Sequence, residues 1–198
     1  MTTTVYFVRH GSHDRLGKVL CGRMPGVTLS EQGLAESRAL AERLAREPID
    51  AVYASPLERT VSTAEPIAEA LGLPLQLSDN LLEVDYGDWT GAGFTDLDGH
   101  PEWRAWNEQR ASALPPSGEG MAQVQMRVGR FINEAVQHHP EQRIVAVSHG
   151  DVIKAALMAG LSLPLDEHHR IEVSPGSLSI VVAGEWGLKV HSMNEVPA

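Results

Sequence analysis

Residues 4–11 of this 198-residue chain read Thr4-Val5-Tyr6-Phe7-Val8-Arg9-His10-Gly11. Five β-prone or aromatic residues in succession spell a strand buried on both faces, too short for a free-standing helix. The run stops at an arginine, a histidine and a glycine. In an open α/β sheet the carboxyl ends of the strands open onto the ligand crevice, so a charged pair at that point faces substrate. Gly11 lets the backbone turn sharply there and leaves room for a ligand to approach. A lone instance is more often a strand end that merely touches solvent, because position in a fold proves no chemistry. What changes the balance is a second instance far along the chain: Arg143-Ile144-Val145-Ala146-Val147, a strand that ends in Ser148-His149-Gly150.

Between and after these two strands the pattern alternates. Residues 12–28 are irregular and rich in glycine, a length at which loops are often functional. A helix is predicted from about Ser30 to Arg46, with Leu34, Ser37, Ala41 and Leu44 on one face. Residues 50–54 form a second strand, and Ser55-Pro56 start another helix, Ser55 as N-cap and Pro56 at the first helical position. That helix ends near Gly72, and residues 75–77 form a third strand. The stretch from Gly91 to Gly118 is the least regular, with Trp103 and Trp106 on a short helix. An amphipathic helix spans about Glu119 to His138, and another continues past Gly150. The last thirty residues carry edge-like strands at 171–173, 178–182 and 188–191. Strands alternating with crossover helices define an α/β fold with a largely parallel central sheet.

Composition bounds the alternatives. A chain of this length, 42% hydrophobic, suits one ordinary globular domain over residues 1–198. Nothing approaches the run of about 20 apolar residues that spans a bilayer. Met1-Thr2-Thr3-Thr4 leads straight into a strand without the pattern of a signal peptide, and the single cysteine, Cys21, excludes an internal disulfide. Together these suggest a cytoplasmic protein. The net charge of −10 disfavours nucleic acid and acidic membranes as partners. Oligomeric state is left open. The pairs His138-His139 and His168-His169 are read as surface residues, since helical neighbours point about 100° apart and cannot easily share a metal ion.

If the two histidine-bearing strands are neighbours, His10 and His149 project into one crevice. Arg59 joins them from the helix after the second strand, and Glu83 from the loop after the third. Such a set suits phosphoryl transfer. Guanidinium forks match the oxygens of a phosphoryl group in flight. A neutral imidazole is a good nucleophile that splits one hard displacement into two. Arg9 and Arg59 should depress the pKa of His10 and keep its attacking nitrogen free. His149 would donate to a phosphoryl oxygen, and Glu83 would protonate the leaving alcohol and then deprotonate water. Asp85 is the alternative acid. Cys21 is expected to be an inert lining residue, and Trp103 and Trp106 to cover core or wall the mouth.

Four motifs carry a resemblance: Arg9-His10-Gly11, Ser55-Pro56-Leu57-Glu58-Arg59-Thr60, Glu83 followed by Val84-Asp85-Tyr86-Gly87-Asp88-Trp89-Thr90-Gly91, and Ser148-His149-Gly150. In this order they are similar to the histidine phosphatase superfamily, over nearly the whole chain. The resemblance implies a three-layer α/β/α sandwich of the phosphoglycerate mutase type, a phosphorylated His10, a phosphoryl group held by Arg9, Arg59 and His149, and Glu83 as proton donor. It also implies that Cys21, Gly22, Gly11 and Gly150 line the phosphate, with no metal or cofactor. Departures from the family pattern fall at Ser12-His13 and at Arg23-Met24. After Glu83 the sequence follows the small phosphatases and lacks the basic insertion of mutases; only Arg104 and Arg110 are cationic down to Gly118. Asp151 makes the pocket floor less friendly to a second anionic group. The expectation is therefore a metal-independent hydrolase of small phosphomonoesters, with a phosphoglycerate mutase and a non-catalytic phosphate-binding module as alternatives.

Overall fold

The structure, a computed structural model, describes residues 2–197. Six strands form one mixed sheet in the order β3-β2-β4-β1-β5-β6. These are β1 (Thr2–Arg9), β2 (Ala51–Ala54), β3 (Leu75–Leu77), β4 (Arg143–Ser148), β5 (Leu178–Gly184) and β6 (Gly187–Glu195). The first four run parallel, while β5 pairs antiparallel with β1 and β6 antiparallel with β5.

Side chains alternate across this sheet with the period of two that a strand imposes. Tyr6, Val8, Val145 and Val147 pack on one face beneath α1 (Glu31–Leu44) and α2 (Glu58–Leu71). On the other, Val5, Phe7, Ile144 and Ala146 pack beneath α5 (Met121–His138) and α6 (Gly150–Leu161). Two short helices, α3 (Phe94–Leu97) and α4 (Pro101–Glu108), lie in the stretch before α5. The result is the expected helix–sheet–helix sandwich. No helix among the described residues is long and apolar enough to cross a membrane.

The topology itself places a crevice. Strands β1 and β4 are neighbours in register, Arg9 opposite Ser148. The chain leaves β1 toward α1 on one face and leaves β4 toward α6 on the other. Their exits therefore diverge, and a gap opens at the carboxyl ends of this pair.

The α5 face is as the sequence predicts, with Met121, Val124, Val128, Phe131, Ile132 and Ala135 all buried. Four expectations differ. On α1 the buried face carries Gly33 and Leu40 with Ser37, Ala41 and Leu44, whereas Leu34 is exposed. Helix α2 begins at Glu58 with Leu57 as N-cap. Ser55 does not cap it; its hydroxyl meets the Nε2 of His149 at 2.9 Å. Residues 171–173 form no strand, and the Val173 carbonyl accepts instead from the Arg9 guanidinium at 2.5 Å. Strand β5 is internal, so of the C-terminal strands only β6 is an edge.

The loop after β1 is fixed by a backbone-to-backbone contact with α1. A Cβ on Gly33 would sit 2.1 Å from the Ser12 carbonyl oxygen, and one on Gly11 would sit 2.5 Å from the Gly33 carbonyl oxygen. Glu36 accepts from the Ser12 amide (2.7 Å) and hydroxyl (2.9 Å), while the Ser30 amide donates to the Ser12 carbonyl (3.0 Å). Gly33→Ala is therefore expected to destabilise the protein by about 1–3 kcal/mol, read as a lower urea midpoint. Gly129→Ala, on α5 with nothing within 4 Å of the added carbon, is expected to stabilise it by about 0.5–1 kcal/mol. Equal midpoints for the two variants would contradict the close-approach account.

Candidate active site

At the carboxyl ends of β1 and β4 the rings of His10 and His149 lie with centroids 5.2 Å apart, tilted by 62°. Both residues are buried. Arg59, from the first turn of α2, lies between them and is 1% exposed. Its Nε donates to His10 Nε2 (3.3 Å), and its Nη2 reaches His149 Nδ1 (3.1 Å) and the Gly22 carbonyl (2.7 Å). His10, Arg59 and Gly22 line a cleft of about 260 Å³ together with Arg9, Glu83, Cys21 and Gly150, and His149 sits behind Arg59.

The hydrogen bonds assign the protons. His10 Nδ1 lies 2.8 Å from the Gly11 carbonyl, which can only accept. In the neutral ring the proton therefore sits on Nδ1, and Nε2 presents a lone pair toward Arg59. His149 is set the opposite way. A guanidinium can only donate, so His149 Nδ1 accepts from Arg59 and Nε2 carries the proton toward the Ser55 hydroxyl. Burial holds both imidazoles well below the usual histidine pKa; Arg59 and Arg9 push the same way for His10, and Arg59 and His10 for His149. The sequence anticipated the cationic contribution for His10, although desolvation is the larger cause. As a neutral ring His149 has no spare N–H for a phosphoryl oxygen, so donation at Nδ1 requires a second proton.

Glu83 enters from the other wall. One carboxylate oxygen accepts from the Val84 amide (2.9 Å), and the other lies 3.9 Å from His149 Nδ1. Its backbone carbonyl takes the Nε proton of Arg23 (2.9 Å), and Arg23 is itself held by Glu119 (3.0 Å). Burial and the nearby Asp151 raise the Glu83 pKa to about 7. Asp151 differs: burial pushes it up, but Arg110, the Tyr86 hydroxyl and Lys154 together outweigh that and bring it to about 2. Tyr86 donates to Asp151 at 2.6 Å and Arg110 at 3.1 Å, with the Arg110 guanidinium 4.5 Å above the Trp106 ring. Asp85 is engaged by the Gly87 amide (3.0 Å) and Arg23 (3.5 Å) and does not line the cleft.

The remaining sequence candidates divide. Gly22 lines the cleft at φ +47°, and a side chain there would meet the Tyr86 ring at 2.9 Å. Gly150, the first residue of α6, lies against the Arg9 guanidinium. Gly11 does not line the cleft; the room it leaves is filled by Gly33 rather than by a ligand. Burial pushes the Cys21 thiol up, so it stays protonated. Trp106 is wholly buried and edge-on to Tyr86, while Trp103 backs Trp89 and the cleft-lining Phe94. Arg110 is thus committed to Asp151 rather than open to a ligand. Of the two histidine pairs, His138 and His169 are exposed as expected. His139 is partly buried on the Tyr53 hydroxyl (2.8 Å), and His168 is half-buried. No cluster of three or more His, Cys, Asp or Glu among the described residues has metal-holding geometry.

His13, Lys154, Phe94 and Glu172 also line the cleft, and neither they nor the Tyr86–Asp151–Arg110 group stand out from the sequence motifs. For Lys154 a signal existed: positions 150, 151 and 154 share one face of a helix.

Two neutral imidazoles, two guanidiniums and a carboxyl thus gather at the carboxyl ends of β1 and β4. Residues 5–196 match the sequence pattern of the histidine phosphatase superfamily, branch 1, and the chain belongs to that superfamily: it is a histidine phosphatase. It is 34% identical over 165 residues to phosphoserine phosphatase 1 of Hydrogenobacter thermophilus, covering 81% of this chain and 78% of that one. To adenosylcobalamin/alpha-ribazole phosphatase of Salmonella typhimurium it is 29% identical, covering 97% of both chains. The mycobacterial glucosyl-3-phosphoglycerate phosphatase structure superposes with a TM-score of 0.88 at 26% identity, over 98% of this chain and 99% of that one.

Replacing Glu83 by glutamine tests its environment. A carboxyl whose folded pKa is raised contributes stability below its unfolded value of 4.5 and loses it as pH climbs through about 7. The thermal midpoint of Glu83→Gln is thus expected to gain on the parent protein between pH 5 and pH 8. A gap that stays constant or narrows would contradict the raised pKa.

Proposed function

We propose that the protein hydrolyses a small phosphorylated metabolite through a phosphohistidine on His10, without a metal ion. One observation carries this: the Gly11 carbonyl holds the proton of His10 on Nδ1, so Nε2 presents its lone pair beside the guanidiniums of Arg59 and Arg9. In the first step Nε2 attacks phosphorus, the ester P–O bond breaks, and the departing alkoxide takes the proton of Glu83. In the second, water attacks phosphorus and gives its proton to Glu83, the P–Nε2 bond breaks, and inorganic phosphate leaves. Arg9 and Arg59 take up the charge on the phosphoryl oxygens. His149 joins them when the charge of the bound dianion raises its pKa and a proton from solvent adds at Nδ1. A carboxyl that titrates near neutrality serves both half-reactions, and a mere binding module would have no use for one.

Hydrolysis is favoured over mutase action by the commitment of Arg110 to Asp151, which removes a cation that a second anionic group would need. The relatives named above are phosphatases of phosphoserine, α-ribazole phosphate and glucosyl-3-phosphoglycerate. The common feature, a phosphate ester of a metabolite, is the substrate class assigned here.

Turnover of p-nitrophenyl phosphate is expected to persist in excess EDTA and to vanish in His10→Ala. Quenched wild-type enzyme should carry an acid-labile, alkali-stable phosphoryl label. Full hydrolysis by His10→Ala would overturn the mechanism. Transfer between 2- and 3-phosphoglycerate that outpaces hydrolysis would replace it with the mutase. Glu83→Gln is expected to lose about 10²–10⁴-fold in kcat. Removing the negative charge that helps keep Glu83 protonated, as in Asp151→Asn, should move the alkaline limb of the pH–rate profile to lower pH. A shift the other way would remove Glu83 from the role of acid.

A further inference from the structure

We propose that His13 is a third imidazole of the phosphoryl site, donating its Nδ1 proton to a non-bridging oxygen of the bound phosphoryl group. The proposal rests on the reading that the His10 end of the cleft receives that group. His13 lines the same cleft as Arg9, His10 and Arg59. Its ring centroid lies 5.4 Å from that of His10, with the planes tilted by 31°. The residue is 8% exposed, and its Nδ1 is buried without a hydrogen-bond partner. Two other atoms lining this cleft share that condition, Nε of Arg9 and Nη1 of Arg59. A buried polar atom left without a partner is costly and rare in folded proteins. Three of them on neighbouring residues, two cationic, describe a socket for an oxyanion with several oxygens to satisfy.

The backbone holds His13 in place for this task. The preceding residue, Ser12, is clamped by Glu36 through two hydrogen bonds and by the Ser30 amide, and Gly33 abuts its carbonyl. The ring is therefore presented by a braced segment, as a preorganised donor should be. Burial, then Arg59 and Arg9, keep His13 neutral down to about pH 4. It thus acts as a hydrogen-bond donor and adds no charge. His10 and His13 are not interchangeable, because the Gly11 carbonyl presets the tautomer of His10 whereas His13 takes its Nδ1–H form from the anion it meets.

The test uses the full-length enzyme with orthovanadate as the phosphoryl probe. The amide nitrogen of asparagine falls where histidine Nδ1 lies, and phenylalanine keeps the ring without the donor. His13→Phe is expected to lose roughly 10²-fold in kcat/KM, by the same factor for p-nitrophenyl phosphate and phosphoserine, and to weaken vanadate inhibition in parallel. His13→Asn should recover most of both. In long-range ¹H–¹⁵N spectra of the wild-type protein, vanadate should drive the His13 ring to the Nδ1–H tautomer, a readout that needs no variant to fold. Unchanged His13 resonances, or a His13→Phe enzyme within two-fold of wild type, would overturn the proposal while His10→Ala remains inactive. Activity surviving in His10→Ala would instead overturn the phosphoryl-transfer reading beneath it.

Discussion

A guanidinium with almost no contact with water is the constraint around which this molecule is arranged. Arg59 is 1% exposed, and a charge so deeply placed needs acceptors, which its Nε and Nη2 have while Nη1 is left without one. The fold brings those acceptors from three separate elements: His10 beyond β1, His149 beyond β4, and the Gly22 carbonyl in the long loop. Each acceptor is in turn fixed by something else. The Gly11 carbonyl fixes one ring, the Ser55 hydroxyl the other, and the positive φ of Gly22 aims its carbonyl. Removing the arginine would therefore loosen three loops together.

The same arrangement makes two chemically identical side chains different. His10 and His149 are both buried and both neutral, yet Arg59 meets Nε2 of the first and Nδ1 of the second. One ring thereby keeps its proton on Nδ1 and the other on Nε2, the difference on which the proposed division between nucleophile and phosphoryl holder rests. Across the cleft, Glu83 and Asp151 repeat the principle with carboxyls. Asp151 has Arg110 and a tyrosine hydroxyl and stays ionised; Glu83 has one amide and a buried neighbour of like charge, and holds its proton to neutrality. Environment, rather than residue type, divides the labour.

Much of this was legible in the chain because strand ends announce themselves. An apolar run stopping at Arg9-His10 and another at Ser148-His149 placed both imidazoles, and short-range periodicity placed the helices. The errors occurred where a long-range partner outcompetes a local rule. Ser55 has the composition of an N-cap, but its hydroxyl meets His149 and α2 starts two residues later than expected. Residues 171–173 have strand composition, but Arg9 takes a carbonyl that a ladder would need. Gly11 suggested space for a ligand, and the space belongs to another glycine. His13 was visible only as a departure from the family pattern, since nothing in one sequence tells a braced, cleft-facing imidazole from a loop residue.

The gathering of Arg9 and Arg59 into one dry corner couples the folded state to its surroundings. An unfolded chain scatters those cations and binds an oxyanion poorly, so any such ion that fits the cleft acts as a stabiliser of the whole domain. A ligand at a hundred times its dissociation constant adds about 2.7 kcal/mol to the free energy of unfolding, a large share of what keeps a protein this size folded. Inorganic phosphate, the product, would thereby brace the enzyme as it slows it. Thermal resistance measured in a phosphate buffer and in a chloride buffer would describe two distinct equilibria of one polypeptide.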